Sequence, residues 1–430
     1  MVSPEKIYEL FLKYPVISTD SRKIEPGCIF FALKGETFDG NRFADNSIAA
    51  GAAYAIVDDH QVVKNEQYLP VENVLSTLQQ LSLIHRKHFS IPVIGITGSN
   101  GKTTTKELIS AVLSGKYKTL ATTGNLNNHI GVPLTLLKIN ESTEIAVIEM
   151  GANHPGDISF LCNLALPGFG IITNIGKAHL EGFGTLEGVI RTKTELYRYI
   201  ESTGGKVFIN NNDGILLEHA ANLLKITYEI GNKAEVNGKL TGSEPFISFT
   251  LNTGKESVNI KTKLFGEYNL ENLLAAACIG NYFGVPSGEI KSALENYEPS
   301  NSRSQVTQSD RNLLILDSYN ANPTSMLAAL NQFSSSTYNN KVLILGDMLE
   351  LGGVSDEEHL ALIRIIGDLG FPEVYLVGPA LTRLNSKREW ICFNDSDLAR
   401  LWFSHHRLTG KTILIKGSRG IKMEKIVEEL

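Results

Sequence analysis

Short apolar runs bounded by turn residues dominate the chain, and their period separates strands from helices. Residues 27–33 (GCIFFAL) follow a Pro-Gly pair and read as a strand. A helical stretch near 43–50, a strand over 53–57 and a helix over about 74–88 come next, closed by Pro92. From Val93 the order becomes strand, glycine-rich turn, helix, strand. VIGIT reads as a buried strand and 106–113 as helix, with further short apolar runs at 144–149 (EIAVIE), 170–174 (GIITN) and 206–210 (KVFIN). Strands alternating with helices predict parallel β-α-β units. Between about 225 and 265 the pattern changes. Ile247, Phe249 and Leu251 alternate with polar residues ahead of an Asn-Thr-Gly turn, which predicts antiparallel hairpins. A helix over 269–281 returns the chain to the earlier pattern. Beyond about 300, strands at 313–317, 342–346, 374–377 and 413–416 alternate with helices near 324–333, 356–369 and 420–429. The fold class is α/β, in three domains: 1–88, 89–299 and 300–430.

Composition supports that division. The 430 residues suit three domains at roughly 100–200 residues each. Forty Lys and Arg against 46 Asp and Glu give a net charge of −6, too acidic overall for a nucleic-acid or anionic-membrane surface. With 42% hydrophobic and 20% charged residues, the chain is not of the disordered class. Its apolar runs fall short of the ~18 residues that a membrane span requires. The opening MVSPEKIYELFLKYP lacks the basic, apolar and small-residue order of a signal peptide. Cys28, Cys162, Cys278 and Cys392 are scattered, with no pair at metal-ligand spacing. Together these features predict a cytoplasmic protein with no membrane insertion and no nucleic-acid partner.

The strongest local signal is Gly95-Ile-Thr-Gly98-Ser99-Asn100-Gly101-Lys102-Thr103-Thr104, placed after a strand and before a helix. Glycines let the backbone curl so that N–H groups face a phosphate, and the following helix adds its positive end. Lys102 is placed to bridge β- and γ-phosphates, and the Thr103 hydroxyl to hold Mg²⁺. The spacing is G-x-x-G-x-x-G-K-T. It departs from the strict phosphate-loop pattern, which wants glycine where Ile96 stands, and from the dinucleotide fingerprint.

Open parallel sheets place ligands at the carboxyl ends of strands. Glu149 and His179 fall at such ends. Glu149 suits a hard cation, directly or through water, although a cap or salt bridge also accounts for it. His179 reads as a metal ligand or a structural histidine. Asp317 ends a later strand, where an acid meets a ribose hydroxyl or cation, or forms a turn. Lys416, Ser418 and Arg419 follow the last strand in a Gly-rich turn, an anion contact or a solvated loop.

Six segments in order resemble the Mur ligases: ITGSNGKTTTKE, TTGNLNNHIGVPLTLL, VIEMGANHPGDI, NIGKAHLEGFGTLEGVIRTKTELY, DSYNANPTSM and LGDMLELG. DSRKIEPGCIFFALKGETFDG is similar to the UDP-binding domain of the branch that adds D-alanyl-D-alanine. The resemblance runs from about Thr19 to Gly420. It implies a small mixed α/β UDP-sugar-binding domain (1–88), a central parallel-sheet P-loop ATPase domain (89–299) and a Rossmann-like C-terminal domain (300–430). The implied enzyme is a monomeric ATP- and Mg²⁺-dependent amide ligase of cytoplasmic peptidoglycan precursor synthesis. It would join D-alanyl-D-alanine to UDP-N-acetylmuramoyl-tripeptide through an acyl phosphate.

The glycine spacing around the phosphate loop is the family's own, so residues Gly98 to Thr104 are expected at the nucleotide. By the same resemblance Lys102, Glu149, His179 and Lys193 carry the chemistry, with Thr103, Glu149, His179 and a carbamoylated Lys193 toward metal. The residue pattern alone makes Lys193 a surface lysine. Asn272 and Asn269 fall where the family contacts adenine, with Tyr268 replacing a common histidine. Arg303 and Asp317 match positions that reach the nucleotide when the domains close. Asn127 and Asn128 match a loop facing substrate and metal, and Ser21 and Arg22 the nucleotide-sugar site. Asn320 to Pro323 (NANP) separates this branch from relatives that add a diamino acid.

Overall fold

Three sheets carry the strands of the chain, in a computed structural model that describes residues 1–300, 302–385 and 390–430. The first contains β1 (Ile17–Ser18), β2 (Ile29–Phe31), β3 (Tyr54–Val57) and β4 (Tyr68–Pro70), in the order 1-2-3-4. The second contains β5 (Val93–Thr97), β6 (Thr119–Ala121), β7 (Ile145–Glu149), β8 (Phe169–Ile172), β9 (Lys206–Asn210), β10 (Leu224–Ile230), β11 (Val236–Gly242), β12 (Ser248–Asn252) and β13 (Ser257–Lys261). Its order is 13-12-11-10-9-8-5-7-6. The third contains β14 (Gln305–Gln308), β15 (Leu313–Leu316), β16 (Lys341–Gly346), β17 (Glu373–Val377), β18 (Ile391–Phe393) and β19 (Thr412–Lys416), ordered 14-15-19-16-17-18.

Contacts divide the chain into two units. Met1–Gly95, Tyr117–Gly151 and Asp157–Phe169 form the first; Ile96–Lys116, Ala152–Gly156 and Gly170–Leu430 form the second.

In the first unit the four-stranded sheet is wholly parallel. Side chains on a strand alternate between faces, and here each face has its own core. Ile29, Phe31 and Ile56 pack with Ile7, Phe11, Val74, Leu78 and Leu81, which come from helices Pro4–Phe11 and Val74–Lys87. Phe30, Ala55 and Val57 pack on the other side with Cys28, Ala44 and Tyr68. Burial on both faces explains why GCIFFAL reads as a continuous apolar run rather than an alternating one.

In the second unit β9 and β10 pair in parallel, as do β10 and β11. Only then does the direction reverse, with β11–β12 and β12–β13 antiparallel. The segment predicted as hairpins therefore first adds two parallel strands. Phe249, Leu251 and Ile260 are buried, which accounts for the alternation seen in the sequence. The third sheet is parallel from β15 to β18, with β14 antiparallel at its edge. Helices Pro323–Ser335 and Ser355–Leu369 stand close to expectation. The helix predicted over 420–429 is a 3-10 turn at Arg419–Ile421 and a single short turn at Glu424–Val427. Among the described residues no helix is long and apolar enough to cross a membrane.

Candidate functional site

β5 ends at Thr97 and the helix Lys102–Ser114 begins at the end of a loop of residues 98–101. Gly98 and Gly101 take φ of +146° and +76°, and a Cβ on Gly98 would stand 1.9 Å from Thr173 Oγ1. The loop is fastened to the segment after β8. Asn100 O accepts from Thr173 Oγ1 (2.6 Å) and Asn174 Nδ2 (3.1 Å). The N–H groups of Ser99 and Asn100 donate to Asn174 O and Asn174 Oδ1, both at 3.0 Å. Ser99 Oγ donates to Gly176 O and accepts from Gly176 N. The first turn of the helix adds N–H groups that have no intrahelical acceptor and can receive an anion. Lys102 Nζ arches back to Gly98 O (2.7 Å) and Ser99 O (3.2 Å). Thr103 and Thr104 are buried.

A line of buried polar side chains leaves the same helix. Thr105 Oγ1 donates to Asn272 Oδ1 (2.9 Å), and Asn272 Nδ2 donates to Asn269 Oδ1 (2.8 Å). Asn269 Nδ2 donates in turn to Ser304 Oγ (3.0 Å), whose hydroxyl also meets that of Tyr268. Ser304 N donates to Asp317 Oδ1 (3.2 Å), and Lys416 Nζ reaches Asp317 Oδ2 (2.6 Å). Lys416, read from sequence as an anion contact or a solvated loop residue, is only 2% exposed. Arg303 stacks its guanidinium 3.5 Å from the Tyr319 ring centroid, and its Nε makes no hydrogen bond among the described residues. Arg419 donates to the Tyr319 hydroxyl, while Ser418 is buried and donates to Ala321 O.

Further groups lie in the second unit. Lys193 ends the helix Leu186–Lys193 and is 0% exposed, its Nζ 5.4 Å from the Phe183 ring centroid. The surface lysine that the helical pattern gives is thus a core lysine. His179 adopts φ +51°, and its Nδ1 lies 2.7 Å from Glu350 Oε2. The hydrogen bond from the imidazole holds the Glu350 carboxyl below its ordinary range. Asn322, in the NANP segment, caps the helix Pro323–Ser335 and also donates from Nδ2 to Asn100 Oδ1 (2.7 Å). Lys177 N donates to Thr324 Oγ1, and Lys177 Nζ pairs with Glu358.

In the first unit Glu149, 1% exposed at the end of β7, accepts from Asn127 Nδ2 at 2.7 Å. Its own N–H donates to Thr122 Oγ1. Asn128 Oδ1 accepts from the N–H groups of Ile130 and Gly131, which fixes the start of the helix Gly131–Leu136. Ser21 and Arg22 follow β1. Arg22 forks onto Asp20 at 2.8 and 2.9 Å and holds that carboxyl down at about 2.

Sequence reasoning did not single out Thr173, Asn174, Ser304, Asn322 or Glu350 as site residues. Asn322 and Glu350 lie within segments that carried the family resemblance, but a residue pattern does not say which side chain turns toward the phosphate loop. Among the described residues no group of three or more His, Cys, Asp or Glu could hold a metal ion.

Three family models match the chain: "Mur ligase family, catalytic domain" over 13–88, "Mur ligase middle domain" over 96–280 and "Mur ligase, glutamate ligase domain" over 302–419. The UDP-N-acetylmuramoyl-tripeptide–D-alanyl-D-alanine ligase of Bacillus subtilis (strain 168) is 36% identical over 428 residues, covering 96% of this chain and 92% of that one. A crystal structure of MurF from Acinetobacter baumannii is similar with a TM-score of 0.85 and 34% identity, covering 96% of this chain and 92% of the other. MurF ligase from Thermotoga maritima in complex with ADP gives a TM-score of 0.84 at 27% identity, covering 97% of each chain.

The loop geometry sets a stability test. Gly101 stands at φ +76° with a Cβ position 2.7 Å from Asn272 Oδ1. Gly101→Ala should lower stability by about 1–2 kcal/mol through the left-handed conformation, and more where Asn272 is displaced. Gly214→Ala, with nothing within 4 Å of its Cβ position, should leave the thermal midpoint within a degree or so of the parent. Equal midpoints for both variants would contradict this account of the loop.

Proposed function

The chain belongs to the Mur ligase family, and from that premise we propose the following reading of its sites and chemistry. It is an ATP-dependent ligase that joins D-alanyl-D-alanine to UDP-N-acetylmuramoyl-tripeptide, in cytoplasmic peptidoglycan precursor synthesis. The observation that carries this is similarity to ligases of that one activity along 96% of the chain. Residues 1–88 serve as the UDP-sugar-binding domain, 89–299 as the ATP-binding domain and 300–430 as the C-terminal domain.

The tripeptide's terminal carboxylate attacks the γ-phosphorus of ATP. A carboxyl O–P bond forms, the bond to the bridging β–γ oxygen breaks, and ADP leaves. The amine of D-alanyl-D-alanine then attacks the acyl carbon, loses a proton and expels phosphate. Phosphoryl transfer of this kind depends on positioning and charge compensation. Lys102 supplies charge, and it needs only to swing from Gly98 O and Ser99 O onto a phosphate oxygen. The first turn of the helix Lys102–Ser114 supplies N–H groups. Arg303, whose Nε meets no acceptor among the described residues, suits a nucleotide phosphate.

Mg²⁺ offsets the negative charge gathered on the phosphates. Within the second unit Thr103 offers a hydroxyl oxygen suited to a hard cation, His179 adds a ring nitrogen, and Lys193 offers oxygen once carbamoylated; Glu149, in the first unit, is assigned to metal by the family resemblance. Lys193 is fully enclosed, so a carbamate formed there would be shielded from bulk water. Asn127 orients Glu149. Asn269 and Asn272 are committed to each other and to Ser304, so adenine would meet this line of amides as a fixed edge. Asp317, paired with Lys416, and Ser21, Arg22 and Asn128 complete the assignment to nucleotide and sugar-peptide binding.

Phosphate release from ATP and Mg²⁺ should require both UDP-N-acetylmuramoyl-tripeptide and D-alanyl-D-alanine, with the amide product visible by mass. Release only with a UDP-dipeptide and a diamino acid would move the chain to a sister activity. In the same assay Lys102→Ala should lose roughly 10²–10³-fold in turnover, on the order of one charge-stabilising group, with an unchanged circular dichroism spectrum. Lys193→Ala should be inactive and regain part of its rate in short carboxylic acids. Full activity in either variant would remove that residue from the site.

A further inference from the structure

The pairing of His179 with Glu350 joins two residues in left-handed backbone conformation, at φ +51° and +63°. Non-glycine residues seldom stay there unless the surroundings hold them. The surroundings here do so at each step. Asp347, 2% exposed, accepts from Ala380 N and Leu381 N, both at 2.9 Å. Met348 N donates to His359 Nε2 (3.0 Å), while His359 Nδ1 meets Ser355 O (2.7 Å). Leu349 N donates to Ser418 Oγ (2.9 Å), and Glu350 O accepts from Glu181 N (3.1 Å). Although its side chain is 48% exposed, Glu350 is thus delivered to His179 by a backbone fixed at successive residues. A casual surface ion pair has no such support.

We propose that Glu350 is the positioning residue of His179: its carboxylate accepts a hydrogen bond from Nδ1–H and leaves Nε2 as the metal-facing acceptor. An imidazole binds a metal through one nitrogen, and a carboxylate on the other fixes both tautomer and ring orientation. Glu350 lies just beyond β16 in the third sheet, whereas His179 follows β8 in the second. The histidine is therefore aligned only while the segment after β16 is seated against it. The Asn322–Asn100 bond is a second tie of the same kind, from the C-terminal segment to the phosphate loop.

This inference rests on His179 facing metal, and the test separates the two. Mn²⁺ binding to the full chain with ADP, read by electron paramagnetic resonance, is compared for the parent, Glu350→Gln, Glu350→Asp and His179→Ala. Glu350→Gln should weaken Mn²⁺ by ~10–100-fold, with an unchanged thermal midpoint. Its long-range ¹H–¹⁵N spectrum should lose the single Nδ1-protonated tautomer of His179. Glu350→Asp, which keeps the charge on a shorter arm, should fall between and serves alone if the amide variant fails to fold. Parent-like affinity in both Glu350 variants, with loss in His179→Ala, overturns the proposal and leaves the metal role of His179 standing. Parent-like affinity in His179→Ala overturns both.

Discussion

A strand that turns into a helix within a few residues can receive a phosphate only if its loop backbone is held rigid. In this protein the burden falls on Thr173 and Asn174, whose side chains take the Asn100 carbonyl while Asn174 also accepts two loop N–H groups. That contact is so close that a Cβ at Gly98 would overlap the Thr173 hydroxyl. The glycine is therefore required by its neighbour's packing as much as by its own φ. What the loop then presents is the amino end of the helix Lys102–Ser114 and the ammonium of Lys102.

The same helix is the start of a polar line that runs through Asn272, Asn269, Ser304 and Asp317 to Lys416. Buried amides and charges are tolerated when each finds its partner, and they then specify one arrangement. Here the line links the helix of the phosphate loop to the last strand of the chain. Asn322 and Glu350 add two shorter ties to the same neighbourhood. These bonds tie segments of the C-terminal sheet to the loop and to His179.

Much of the fold was legible because burial leaves a plain mark. VIGIT and KVFIN are strands at the predicted positions, since strands covered on both faces read as unbroken apolar runs. β14 (QVTQ), with little apolar content and antiparallel at a sheet edge, escaped. So did the helix Ser396–His405, whose apolar residues are split between the buried Ala399 and Phe403 and the exposed Leu398 and Leu401. The parallel pairing of β10 with β11 was also hidden, because alternation reports which face is buried and not the direction of the neighbouring strand.

By itself the sequence determined the strand-loop-helix unit at Gly98 to Thr103, the α/β class and the order of family segments, because spacing along the chain fixes local geometry. Tertiary structure alone decided that Lys193 is enclosed, that Lys416 pairs with Asp317, and that Glu350 meets His179. Those facts depend on which side chains the fold brings within a few ångströms, for the two pairs from positions about a hundred or more residues apart in the chain. In the Lys193 helix, charge and period alone favour solvent, and only packing by the surrounding elements reverses that preference.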